Sequence, residues 1–303
     1  MNKVIKRVPV PIAGLSLAFA ALGNLIQSYS NTVRYIFGGI SFVLLLLLIL
    51  RIITDFNSFK NDMNNPIMAS VFATFPMTIM LLSGYMAPFV YGFAYGLWLF
   101  GILLHLLLIV YFTVKFIIKL DFTKVFASYF IVYVGIVVAS VTAPVFNMKP
   151  FGEMIFWFGL VCFIILAVLV TFRYFKFGNI AEPFRPLICI YAAPVSLLAA
   201  GYAQSAANVN KLLGFLLLIS VVIYFIMLNK GFKFMFENKF YPSFSSLTFP
   251  FVISAIASKM TMAHLNSIEN PISVLAPLVT VQTFIAVLFC FYVLYNFYLF
   301  LTE

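Results

Sequence analysis

Helix-length apolar runs follow one another along this chain, and every second run carries a proline or glycine at the same place. The even-numbered runs end on a basic residue, and counting back from it locates the break in the preceding run. Pro11 lies 40 residues before Arg51, Pro76 lies 39 before Lys115, Gly135 lies 38 before Arg173 and Pro194 lies 36 before Lys230. Pro250 fills the same slot in the fifth pair, within "LTFPFVIS", as the others do within "VPVPIAGL", "FATFPMTI", "VYVGIVVA" and "IYAAPVSL". A helix against lipid must satisfy its own backbone groups, so breakers survive only where protein or a water-filled space covers them. The pattern therefore predicts that odd runs lie inside and even runs outside. Small residues also let membrane helices pack closely, but that role does not require one shared depth in alternate runs only.

Only 9% of the 303 residues are charged and 64% are hydrophobic, far from the roughly one quarter charged of a soluble domain. The chain reads as an all-α integral membrane protein, one transmembrane domain over residues 1–303 with ten spans. These fall near 8–28, 32–54, 66–86, 90–114, 124–143, 152–174, 184–203, 209–229, 241–260 and 272–300. They make five parallel-repeated helical hairpins, at about 8–54, 66–114, 124–174, 184–229 and 241–300. Five odd helices form an inner ring around a pore, with five even helices outside. Pro11, Gly14, Pro76, Gly135, Pro194 and Pro250 are the expected pore-lining and kink residues. The basic start "MNKVIKRVPVPIAGL" reads as a retained first span, because apolar sequence resumes without a cleavage pattern.

Basic residues test the count. Lys3, Lys6, Arg7, Arg51, Lys60, Lys115, Lys119, Lys124, Arg173, Lys176, Arg185, Lys230, Lys233 and Lys239 fall on one set of loops, 14 of the 18. Arg34, Lys149, Lys211 and Lys259 fall on the other. That bias predicts a cytoplasmic charge-rich side carrying both termini, with Lys230 and Lys233 at a basic mouth. The same placement explains the net charge of +10 by topology and lipid attraction, and speaks against nucleic acid as a partner.

All eight acidic residues (Asp55, Asp62, Asp121, Glu153, Glu182, Glu237, Glu269 and Glu303) lie in loops or near span ends. Cation-coupled carriers use intramembrane carboxylates and cation channels use acidic rings or carbonyl filters, so the chain points to anions. Backbone donors freed at the breaks would favour them further. No Lys or Arg falls mid-span, which favours small monovalent anions over dicarboxylates. Cys162, Cys189 and Cys290 are far apart within apolar runs, suggesting neither a disulfide nor a metal site. His105 reads as an interhelical hydrogen-bonding residue and His264 as solvated. No catalytic constellation is present, so neither an enzyme nor a cofactor is expected.

The stretches "PVPIAGLSLAFAALGNL", "YVGIVVASVTAP" and "AAPVSLLAAGYA", with "GFKF" followed by "LTFP", resemble the tellurite-resistance/dicarboxylate transporter family. It includes bacterial TehA-type channels and the plant slow anion channels, and the match spans essentially the whole chain. The resemblance implies a homotrimer in the bacterial cytoplasmic membrane with one pore per subunit. It also implies a gate by the Phe before the ninth-helix Pro, which is Phe249; Phe75, in the matching "TFP", is a possible second ring. Gly135, standing where the other odd runs have Pro, makes the ring irregular. The expected function is passive conduction of chloride- or nitrate-like anions. A secondary transporter of four-carbon dicarboxylates or of oxyanions such as tellurite is the alternative, and a non-transporting scaffold is a third class.

Overall fold

The computed structural model describes residues 2–178, 180–209, 211–237 and 239–302; Glu303 and the side chain of Lys3 lie outside them. Among the described residues there are helices and connections but no strand. Eight helices are long and apolar enough to cross a membrane: α2 (Asn31–Thr54), α3 (Pro66–Met86), α4 (Tyr91–Ile117), α6 (Lys149–Lys176), α7 (Glu182–Ser205), α8 (Lys211–Met235), α9 (Pro242–Ser267) and α10 (Leu275–Thr302). Two shorter apolar helices, α1 (Ile12–Ile26) and α5 (Gly135–Phe146), stand where the first and fifth spans were expected. The chain is a multi-pass helical membrane protein.

Burial separates the two classes of helix. In their most apolar stretches α3, α7 and α9 bury 78–83% of residues, against 28–39% for α2, α4, α6, α8 and α10. Nearly every residue of α1 is buried as well. Contacts follow the same division. Helix α1 packs on α3, α3 on α5, α5 on α7, α7 on α9, and α9 on α1. Each even helix packs on the odd helix before it and on the next odd helix, α10 taking α1 as its next.

Short polar side chains tie the odd helices together, where lipid offers no alternative partner. Tyr85 on α3 donates to the Ala20 carbonyl on α1 at 2.6 Å, and Ser70 on α3 bonds Ser128 just before α5 at 2.7 Å. Ser205 on α7 donates to the Ser140 carbonyl on α5 at 2.6 Å, and Ser196 on α7 meets Ser254 on α9 at 2.9 Å. Lys259 on α9 donates to the Leu25 carbonyl on α1 at 2.5 Å. Part of the small-residue content thus serves helix packing.

The breaks differ in kind from the expected kinks. The first part of α7, Glu182–Ala192, and of α9, Pro242–Leu247, is 3₁₀ helix, and each converts to α-helix where the proline stands. Pro194 and Pro250 occupy the first turn of the new α-helix, where a missing N–H removes no bond. Pro11 caps the start of α1. Pro76 is the third residue of Thr74–Met86, the second part of α3, and Gly135 opens a 3₁₀ turn ahead of Val138–Thr142. The prolines begin half-helices instead of bending continuous ones. The two long 3₁₀ segments also pair: Ser243 and Ser246 donate to the carbonyls of Pro183 and Pro186, at 2.5 and 2.6 Å. That repeat of three matches the eclipsed i, i+3 positions of a 3₁₀ helix.

The segment just ahead of α5, the short helix Tyr129–Tyr133, receives help from α4. His105, fully buried, donates from Nε2 to the Val132 carbonyl at 2.9 Å, in keeping with its expected interhelical role. His105→Leu keeps a similar volume but leaves that carbonyl without its donor, a loss of about 1–3 kcal/mol. Thermal unfolding in detergent checks this, the variant melting several degrees below the wild type.

Candidate functional site

Three cavities follow one another through the odd helices. The middle one, about 40 Å³, is lined by Gly14 of α1, Thr74 and Met77 of α3, Gly135 of α5, Pro194 and Leu197 of α7, and Ser245, Phe249 and Pro250 of α9. At roughly 10–15 Å³ per water it holds a few waters and no hydrated ion. A Cβ at Gly135 would lie 2.7 Å from Met77 Sδ, so a larger residue there would have to displace the end of that side chain.

The walls of this cavity offer few free donors. Amides of Ile12, Ala13 and Gly14 bond the carbonyls three residues back, as do those of Ala73, Val137, Thr248 and Phe251. The hydroxyls of Thr74 and Ser246 donate to the Val71 and Pro186 carbonyls. The expected freed backbone donors are thus largely engaged in 3₁₀-type bonds, which leaves an apolar constriction.

Toward the C-terminal ends of the odd helices lies a vestibule of about 340 Å³. Asn24, Gln27, Arg34, Gln204 and Lys259 supply its polar lining, and no carboxylate contributes. Arg34, 9% exposed, donates from Nε to Asn24 Oδ1 at 3.1 Å and from Nη2 to the Gly84 carbonyl at 3.3 Å. Its guanidinium lies 4.5 Å from the Tyr85 ring centroid. Lys259 also reaches Ser28 Oγ, at 2.6 Å. Ion pairs among the described residues are Arg51–Asp62 and Lys124–Asp121, so both vestibule cations are held by neutral groups. Phe249 and Leu197 line the vestibule and the middle cavity alike.

Toward the opposite ends lies a basin of about 730 Å³, lined by Lys115, Lys119, Lys124 and Arg173 among others. Its wall residues Ile67, Phe126 and Phe184 stand about one turn before Val71, Phe130 and Leu187 of the middle cavity.

Of the residues singled out from the sequence, Gly14, Gly135, Pro194, Phe249 and Pro250 meet at the middle cavity. Pro11 is buried at the start of α1 outside that lining. Pro76 faces a peripheral groove with Phe59, Phe72 and Leu104. Phe75 stacks on Phe72 with centroids 5.2 Å apart and lines neither the middle cavity nor the vestibule. Lys230 and Lys233 are exposed near the end of α8 and line none of the three cavities.

The loop assignment of Arg34 and Lys259 does not hold: both lie within helices and line the vestibule. The signal available in sequence was Ser30, a helix cap that accepts from the Val33 amide at 3.3 Å and so starts α2 before Arg34.

Comparison with curated proteins returns no match. Residues 7–295 match the SLAC1 family, described as voltage-dependent anion channel, whose members are channels or transporters. Nearly the whole length of this membrane protein is covered, and the chain belongs to that family.

Proposed function

We propose that the chain conducts small monovalent anions, chloride- or nitrate-like, passively through the vestibule, the middle cavity and the basin. In this reading all ten apolar segments cross the membrane, with α1, α3, α5, α7 and α9 surrounding the path and the even helices facing lipid. Phe249 is the gate. The observation that carries the reading is that Phe249 lines two cavities at once, one of them bearing two cations without acidic partners. A dry apolar constriction stops a hydrated ion without any charged latch, and the vestibule charges concentrate anions in front of it. Phe249 suffices for this gate, and Phe75 is left in its stack with Phe72.

The charge-rich end faces the cytoplasm of a bacterial cell, as 14 of 18 basic residues on one loop set imply. The path lies within one chain, so a homotrimer would carry three.

One observation favours the alternative of four-carbon dicarboxylate or oxyanion transport: Arg34 and Lys259 share one vestibule, as the two ends of a dianion would require. Liposome flux separates the two readings. The channel predicts that a chloride gradient dissipates without proton or counter-substrate, at a rate that does not saturate. Saturable uptake that needs a counter-substrate or a pH gradient would establish the carrier, and absence of flux for every anion would leave a scaffold.

A further inference from the structure

The basin at the charge-rich end is far larger than a chloride path needs. Its 730 Å³ lies within the range of sites that hold whole organic molecules, about 300–1,000 Å³. Four cations line it against one carboxylate, Asp121. That carboxylate is spoken for: it lies 3.1 Å from Lys124 Nζ and accepts from the amide and hydroxyl of Thr123, at 3.0 and 2.6 Å. Those bonds to Thr123, with the Lys124 charge, hold its carboxyl below the usual range, so it stays ionised.

The other three cations lack a counter-charge. Lys115 is held by Asn64, Tyr111 and the Met63 carbonyl. Lys119 has no hydrogen bond or ion pair among the described residues. Arg173, only 3% exposed, gives Nη1 and Nη2 to the Phe177 and Thr123 carbonyls at 3.0 and 3.2 Å. Its guanidinium lies 4.5 Å from the Phe126 centroid, and its buried Nε has no partner. A buried cation left without an anion is costly. Three cations without a counter-charge around one basin, two of them exposed lysines and the third almost fully buried with a donor unused, describe a site that lacks its ligand.

We propose that this basin binds a multiply charged phosphate-bearing ligand on Arg173, Lys115 and Lys119, one turn below the middle cavity and sharing no lining residue with it. Phosphate takes bidentate donors from arginine and point charges from lysine, and the Phe116, Phe126 and Phe184 walls accommodate an apolar or aromatic body. The shared chemistry is the polyphosphate group, supplied by a soluble organophosphate or by a lipid headgroup.

Calorimetry on the purified full chain in detergent, with inorganic pyrophosphate as the probe, is the test. A second arm measures binding of the same protein to phosphatidylcholine vesicles with and without a phosphoinositide. Pyrophosphate is expected to bind, and Lys115→Gln with Lys119→Gln to weaken it at least tenfold, as is Arg173→Gln. The lysines are exposed, so their loss tests the site even where Arg173→Gln fails to fold. Phosphoinositide binding that the lysine pair abolishes, without pyrophosphate binding, assigns the site to a headgroup. Affinity for both probes unchanged by the lysine substitutions, or no binding of either, overturns the proposal. Binding is read without flux, so this outcome is independent of whether the chain conducts.

Discussion

Phe249→Ala is expected to raise anion flux at least about tenfold, the factor that ~1.4 kcal/mol of barrier supplies. The ring lines both the vestibule and the middle cavity, and is 7% exposed. Truncation merges the two spaces and removes the apolar face that an ion must dehydrate to pass. Leu197 still lines both spaces, so the substitution widens the path without emptying it. Planar-bilayer conductance under a chloride gradient is the measurement, with the reversal potential holding at the chloride value. Phe75→Ala supplies the internal comparison: it unstacks Phe72 and destabilises the protein while conductance changes little. Equal effects of both substitutions would show that Phe249 acts through packing alone.

Neutralising the vestibule is expected to cut flux by about tenfold or more at low salt, within the 10–10³ that charge-lined clefts give to local concentration and on-rates. Lys259→Gln retains a donor for the Leu25 carbonyl and Ser28, so it removes charge while sparing the contact between α9 and α1. Arg34→Gln loses more packing, since the guanidinium also lies over Tyr85. The diagnostic is ionic strength. With screening lengths near 30 Å at 0.01 M and 3 Å at 1 M, wild type and Lys259→Gln should converge as salt rises. A difference that persists at high salt would mean that the lysine shapes the path instead of charging it.

The helices were legible because hydropathy and backbone satisfaction are local demands. Alternate burial was legible too, since prolines confined to every second run leave few places for those runs to go. What escaped was set by phase and by neighbours. A 3₁₀ segment of six residues such as Pro242–Leu247 carries too little sequence to distinguish a period of three from one of 3.6, so a change of helix type read as a kink. The same uncertainty made Phe75 and Phe249 look alike. Both occur in "TFP", but Phe75 is the second residue of an α-helix that follows another, and Phe249 the first residue of the α-helix that follows a 3₁₀ run. Lys230 and Lys233 end an even helix, which is what makes them look like a mouth; Lys115 and Arg173 end even helices too, and only packing decides which ends meet at a basin.

The pairing of Ser243 and Ser246 with the Pro183 and Pro186 carbonyls has a consequence for how this region tolerates change in length. At three residues per turn, one inserted residue before Phe249 rotates everything beyond it by about 120°. The hydroxyls and the aromatic side chain cannot then both regain their places. Point substitutions in the stretch can be absorbed by repacking, but an added or deleted residue cannot. The aim of the aromatic side chain is kept by arithmetic, and gaps should be absent between Pro242 and Pro250 wherever a related sequence closes its path in the same way.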